Sequence, residues 1–217
     1  MKVPLLWTAW VWVGCATAAL AQTGEALSGR VTAVETKGKV AKLTVSTDMG
    51  ELAIELTPKV ELEIVSRGDE TCLAPGLFAR VEAIESNKQF FGSTFTLYPD
   101  HQGRVPPANA VKAPREPGQS QNRYFLAGEI AEFESKPDEK YDQLALKGVG
   151  RNSLPLYVER NRTIRVVQTD PAKIEVGQSV SLWGRKAGNR FLATKITVDT
   201  GATVKGDELR PLETKKK

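Results

Sequence analysis

Hydrophobic and polar residues alternate along most of the chain after residue 24. The alternating apolar positions are Val31, Ala33; Leu43, Val45; Leu52, Ile54, Leu56; Leu62, Ile64; Val81, Ala83; Phe95, Leu97; Leu144, Leu146; Leu154, Leu156, Val158; Ile164, Val166; Val180, Leu182; and Ile196, Val198. Such a period of two is typical of half-buried β-strands. Because no long window carries a helical stripe, the pattern predicts an all-β protein. Helix is limited to one or two turns between the third and fourth main strands.

The landmarks of this pattern occur twice, about one hundred residues apart. The segment 27–31 (LSGRV) corresponds to 126–130 (LAGEI), and 73–76 (LAPG) corresponds to 174–177 (IEVG). The series Phe90, Phe95, Leu97 corresponds in the same way to Phe191, Ile196, Val198. A repeat of this kind indicates two copies of one structural unit. We therefore predict two small β-domains, at 25–98 and 123–200.

The segments outside these two units have a different composition. Residues 99–122 contain five prolines and no hydrophobic period, which is typical of a semi-extended linker. Residues 201–217 are polar and end in three lysines, so disorder is the expectation there. The chain is thus predicted to be two domains, a Pro-rich linker and a disordered tail.

Each unit has the strand content of a small closed barrel. Five or six short strands fall within each unit, and Gly29 and Gly128 would allow the first strand to bend and pair on both sides. The motifs follow the order L-x-G-[RE]-[VI], alternating strands, x-x-G-x-x-V and a final F-x-x-[TS]-x-[IFL]-x-[VL]. This order of motifs resembles exported bacterial OB-fold-type barrels, whose function is largely uncharacterised. Residues 59–66 (KVELEIVS) depart from that family, because they read as a strand where many OB-folds carry a helix. The resemblance implies two tandem OB-like barrels and no particular ligand.

The first 21 residues have the features of a signal peptide. Lys2 precedes an uncharged apolar run at 5–20, and Ala19-Leu20-Ala21 supplies the small-x-small site read by signal peptidase. Cleavage is therefore expected before Gln22, which predicts an exported protein, periplasmic or extracellular. Two alternatives are a retained anchor, for which the run is short, and lipid attachment at Cys15, where Trp12 fits the lipobox poorly.

The mature chain has few groups that perform catalysis. His101, the only histidine, lies in the Pro-rich segment, and Cys72 is the only cysteine left after cleavage. This inventory disfavours hydrolytic triads, zinc sites and thiol nucleophiles, and no phosphate-loop or dinucleotide motif occurs. The glutamates at 51, 55, 61 and 63 alternate with apolar residues, as on the wet face of a strand. We predict a protein that is not an enzyme and needs no cofactor or metal, with a carboxylate-dependent hydrolase as a distant alternative.

The candidate binding residues are one tryptophan and three arginines. Trp183 is expected to point outward because Val180 and Leu182 point inward, whereas its alternative role is to cover a barrel end. Arg160, Arg162 and Arg165 form the densest basic cluster. The leading hypothesis is a binding or assembly module of the cell envelope, with an unidentified envelope protein or polysaccharide as partner. The alternative is a carbohydrate-binding module around Trp183; nucleic acid is disfavoured as a partner, since single-strand binders combine a basic groove with stacking aromatics.

Overall fold

A computed structural model of the protein describes residues 24–37, 40–100, 107–149, 153–187 and 190–209. These residues form twelve strands and three short 3-10 helices. The strands are β1 (Glu25–Lys37), β2 (Val40–Thr47), β3 (Gly50–Leu56), β4 (Glu61–Gly68), β5 (Phe78–Ser86), β6 (Gln89–Tyr98), β7 (Asn109–Lys112), β8 (Arg123–Glu134), β9 (Tyr141–Lys147), β10 (Leu154–Gln168), β11 (Ser179–Ala187) and β12 (Arg190–Val204). The prediction of an all-β protein is confirmed. The predicted signal peptide at 1–21 lies outside the described residues.

Five of the strands close into a barrel. Their order is β5–β6–β10–β9–β8, and β8 pairs back onto β5. The β6–β10 pair is parallel and the other four are antiparallel. The interior holds Phe95, Leu97, Leu126, Ile130 and Leu146, all fully buried. In the closed ring each strand is paired on both sides, whereas a small open sheet would expose the backbone groups of its two edge strands. The prediction of a small closed β-barrel is confirmed for these strands.

A second array consists of six strands in the order β3–β2–β1–β11–β12–β4. One face of this array packs a separate core that contains Leu43, Val45, Leu182 and Ile196. β3 lies close to β12 but is not paired with it, and a groove of about 640 Å³ lies between them. Among the described residues this array is therefore not closed by hydrogen bonds, in contrast to the barrel.

The two repeats exchange their last two strands. β5 and β6 come from the first repeat but complete the barrel built on β8, β9 and β10 of the second repeat. Conversely, β11 and β12 come from the second repeat but pair with β1 and β4 of the first. The structure thus differs from the predicted domains at 25–98 and 123–200, because each core is built from strands of both segments.

Equivalent turns make the exchange symmetrical. The Gly76 N–H donates to the carbonyl of Ile130 at 2.8 Å, and the Gly177 N–H donates to the carbonyl of Val31 at 2.8 Å. Both glycines have positive φ, +90° and +95°, a conformation that favours glycine. Each turn of one repeat therefore docks on the first strand of the other repeat. At the centre, β4 and β10 pair antiparallel and join the barrel to the six-stranded array.

Gly29 and Gly128 are the points at which the first strand of each repeat changes partner. β1 pairs with β11 up to Arg30 and with β2 from Gly29 onward, and β8 passes from β5 to β9 at Glu129. A Cβ at Gly29 would lie 2.3 Å from the Ser46 carbonyl oxygen, and one at Gly128 would lie 2.3 Å from that of Lys147. Only glycine permits this close approach. The expected position of the bend agrees with the pairing.

The Pro-rich segment contains more structure than a linker composition indicates. Asn109–Lys112 forms β7, which pairs antiparallel with β8, and Ala113 beside it is buried. Residues 101–106, with His101, lie outside the described chain. The strand exists because β8 offers it a backbone partner, which composition alone does not reveal.

The C-terminal segment differs from the predicted disorder up to residue 209. β12 continues to Val204, and Gly206–Leu209 forms a 3-10 helix. Leu209 packs in the barrel core, and the Gly206 N–H donates to the Thr71 hydroxyl at 2.8 Å. One apolar side chain thus anchors an otherwise polar segment, while 210–217 lie outside the described residues. Short 3-10 helices follow β4 at Glu70–Cys72 and β10 at Pro171–Lys173, in each case directly before the last two strands of the repeat.

Candidate functional site

Three aromatic rings contact one another on the outer surface of the barrel. Phe91 stacks on Tyr157 with ring centroids 5.4 Å apart and an angle of 21° between the ring planes. Tyr141 meets Phe91 edge to face at 5.2 Å and Tyr157 at 6.3 Å. Such offset and edge-to-face contacts stabilise aromatic pairs beyond the area they bury. We call these three residues the aromatic face; each is partly exposed.

The strands place these rings outside because their neighbours point inward. Tyr157 lies between the buried Leu156 and Val158 on β10, and Tyr141 precedes the buried Asp142 on β9. Phe91 is directly opposite Tyr157 in the parallel β6–β10 pair. Tyr141 is opposite Glu159, two residues after Tyr157, and is therefore a diagonal neighbour of Tyr157 on the same face of the sheet.

Polar and apolar groups border the aromatic face. The Gln89 side-chain amide donates to the Tyr157 hydroxyl at 3.4 Å, and the Lys140 ammonium lies 5.1 Å from the centre of the Tyr141 ring. Ile84, directly opposite Phe91 on β5, is 45% exposed. The surface therefore combines exposed apolar area with hydrogen-bonding groups, as ligand sites in proteins do.

Sequence reasoning did not select this surface. Neither the composition nor any motif of the sequence singles out Phe91, Tyr141 or Tyr157. The alternation along β10 does indicate that Tyr157 points outward, because it lies between two inward-pointing apolar residues. The alternation from the buried Phe95 does not assign Phe91, because a β-bulge between Gly92 and Thr94 shifts the β5–β6 register between the two phenylalanines.

Trp183 points outward, as expected from its neighbours. It is 50% exposed, whereas Val180 and Leu182 are buried. A Cβ at Gly24 would lie 2.5 Å from the Trp183 Nε1, so the indole ring rests against the backbone of Gly24. Trp183 lies on β11 of the six-stranded array, and none of the aromatic ring pairs found among the described residues includes it. It is a lone exposed ring rather than part of an aromatic surface.

Arg160 serves the structure of the turn between β8 and β9. Its Nη2 donates to the carbonyl oxygens of Lys136, Pro137 and Glu139 at 2.8, 2.6 and 2.6 Å. These three bonds hold the turn in place, and they occupy the guanidinium edge that a ligand would need.

Arg162 is also occupied, and its side chain is only 3% exposed. It forms an ion pair with Asp142 at 2.5 Å and approaches Glu70 at 3.5 Å, while its guanidinium lies 5.4 Å from the Phe133 ring centre. Arg162 is therefore a buried structural cation. Arg165, by contrast, is exposed, so the three arginines predicted as one cluster do not share a surface.

The Asp142–Arg162 pair gives a prediction about pH. Burial alone would raise the pKa of Asp142, but hydrogen bonds from Arg162 and Ser135 outweigh it and hold the pKa below its ordinary value. A carboxyl group with a lowered pKa in the folded state stabilises the fold above its unfolded pKa of about 4 and loses that contribution as pH falls through the folded value. We expect the free energy of unfolding, measured by urea titration, to fall in this acid range. Asp142→Asn should cost about 1–3 kcal/mol at pH 7 and flatten that acid limb; an unchanged limb would contradict the assignment.

Cys72 is buried in the barrel core next to the C-terminal segment. Its thiol donates to the Val204 carbonyl at 3.2 Å. Burial, aided by the charge of Asp69, raises the pKa of the Cys72 thiol to about 11. The thiol is therefore neutral at pH 7 and lacks the thiolate that reacts as a nucleophile or forms a bridge to a second chain.

Searches for related sites and related proteins give no further assignment. Within the described ranges, no group of three or more histidine, cysteine or acidic side chains is placed to hold a metal ion. No helix in that part of the chain is long and apolar enough to cross a membrane. No protein-family model matches the sequence, and neither a curated protein nor a solved structure is detectably similar to it.

Proposed function

We propose that this protein is an exported, non-enzymatic binding module of the cell envelope that holds an oligosaccharide on its aromatic face. The observation that carries the proposal is the contact of Phe91, Tyr141 and Tyr157 on three adjacent strands, with part of each ring open to solvent. Sugar rings have an apolar side that fits an aromatic surface and hydroxyls that need hydrogen-bonding partners. Gln143, directly opposite Tyr157, and Gln89, which donates to the Tyr157 hydroxyl, are placed to supply them.

The position of the aromatic face within the barrel supports this function. We interpret the chain as two OB-like units joined by the Pro-rich segment, with four strands followed by two in the first unit and three followed by two in the second. In that interpretation β9 and β10 are the second and third strands of the closed barrel. The face formed by these two strands is where OB-folds bind oligosaccharides and oligonucleotides. Tyr141 and Tyr157 lie on it.

Trp183 is a second candidate surface for the same class of ligand, because it is 50% exposed. The two surfaces lie on different strand arrays, since Trp183 belongs to β11 and the aromatic face to β6, β9 and β10. A substitution at one is therefore not expected to disturb the other. This separation makes each residue the control for the other.

The test is a titration of defined envelope oligosaccharides against residues 22–217, followed by calorimetry. Tyr157→Ala should weaken binding by about tenfold or more, because base- or sugar-sized rings stacked on an aromatic contribute about 1–3 kcal/mol each. Trp183→Ala should leave the affinity unchanged. The reverse pattern would move the site to Trp183, and no binding to any oligosaccharide by the folded protein would refute the sugar ligand.

A further inference from the structure

A row of polar side chains crosses the centre of the molecule on its outer face. Thr96 of β6, Arg165 of β10, Arg67 of β4 and Thr203 of β12 lie in register across four adjacent strands. Ile164, Val166 and Ser66, the neighbours of the two arginines along the chain, are buried, so both arginines point outward. We call these four residues the arginine row. It runs from the barrel strands β6 and β10 to β4 and β12 of the six-stranded array and contains no residue of the aromatic face.

The two arginines face each other, and neither forms an ion pair with another described residue. They are directly opposite in the antiparallel β4–β10 pair, where Cβ atoms lie about 4.5–5.5 Å apart. Both are exposed, and no ion pair or hydrogen bond within the described chain involves either side chain. The Asp199 carboxylate lines the same groove and accepts from the Gly201 N–H at 2.9 Å, and it forms no ion pair with either arginine. Like charges directly opposite each other destabilise a sheet, so an anion bound between the two guanidinium groups would relieve their repulsion.

The chemistry of the row selects the kind of anion. Two guanidinium groups present parallel N–H donors that match the oxygens of a phosphate or carboxylate, and the flanking threonines add hydroxyl donors. A tetrahedral phosphate can accept from both forks at once with different oxygens, whereas a carboxylate offers only two oxygens for the same donors. The groove beside the row, about 550 Å³, is also lined by Thr163 and admits a group of this size.

We propose that Arg67 and Arg165 form a binding site for a phosphate group, with Thr96 and Thr203 at its ends. The site shares β6 and β10 with the oligosaccharide surface but uses none of its residues, and its contacts are ionic. It also explains why an exposed arginine pair occurs at the junction between the barrel and the array. Occupation by phosphate neutralises the pair and links β10 to β4.

The experiment titrates inorganic phosphate into residues 22–217, with chloride at equal ionic strength as the reference, and follows binding by calorimetry and thermal unfolding. Arg165→Gln and Arg67→Gln should each raise the Kd for phosphate at least about tenfold. Arg165→Lys keeps the charge and loses the fork, so its Kd should lie between those of the wild type and the glutamine variant. Arg30→Gln is the matched control, because Arg30 is an exposed arginine bound to the Gly177 carbonyl, and it should bind normally.

The outcomes separate a specific site from general charge screening. Equal effects of phosphate and chloride, or an equal loss in Arg30→Gln, would overturn the proposal. Vesicles of phosphatidylglycerol distinguish the source of the phosphate. Vesicle binding that free phosphate competes away and Arg165→Gln abolishes identifies a lipid headgroup, whereas saturation by free phosphate without vesicle binding identifies a soluble compound. Tyr157→Ala should leave all of these results unchanged, so the site can fail or hold regardless of the oligosaccharide test.

Discussion

A cut between the two repeats is expected to leave the protein in one piece. Replacing residues 101–106 with a protease recognition sequence and cleaving it should give two fragments that elute together from a sizing column. The reason is that β5–β8, β6–β10, β1–β11, β4–β12 and β4–β10 all join one fragment to the other. If each repeat instead closed its own barrel, the two fragments would separate after cleavage.

The result is decided by comparing native and denaturing conditions. In strong denaturant the cleaved protein should run as two fragments, which proves that cleavage is complete. After removal of the denaturant, the fragments should recombine one to one. Two separate folded fragments under native conditions would contradict the strand exchange, because they would show that each repeat closes on itself.

Phe95→Ala should cause the largest loss of stability of any single core substitution in the barrel. Phe95 is fully buried and lies on β6, a strand that the first repeat supplies to a core otherwise built around Leu126, Ile130 and Leu146. Removing a buried phenylalanine costs about 3–5 kcal/mol, a large part of the roughly 5–15 kcal/mol that holds a typical protein folded. The measurement is the free energy of unfolding from a urea titration.

The matched control is Leu192→Ala on β12. Leu192 is 44% exposed, so its loss should change the free energy of unfolding by no more than about 0.5 kcal/mol.

The strand exchange also predicts that the two cores unfold together, since both cores contain strands of both repeats. Phe95→Ala should lower the midpoint of one common transition; separate transitions for the barrel and the six-stranded array would contradict that coupling.

Local features were predictable where a single residue or a short pattern determines them. The inward positions of Val180 and Leu182 placed Trp183 outside, and the glycines at 29 and 128 marked the bends. Strand β4 also follows from its alternation, against the helix usual in OB-folds. In each case the determining force acts between neighbours in the chain, either through side-chain parity or through the absence of a Cβ.

The binding surfaces were less accessible from the sequence. Proximity in the chain grouped Arg160, Arg162 and Arg165, but the fold gives them three environments: a turn, a buried ion pair and an exposed row. The partner of Arg165 is Arg67, ninety-eight positions earlier. Such a contact depends on which strands are adjacent and in which register, and periodicity contains neither.

The sequence by itself determined that this chain is built of short strands, that the strands form two similar sets, and where most side chains point. The tertiary structure decided which strands pair. The landmarks that receive the turn at Gly76 or Gly177 are nearly the same in both repeats, Leu27 and Val31 in one and Leu126 and Ile130 in the other. Each turn could therefore dock on the first strand of either repeat with nearly equal local contacts. The connections between strands and the packing of the whole molecule determine which of the two strands it contacts.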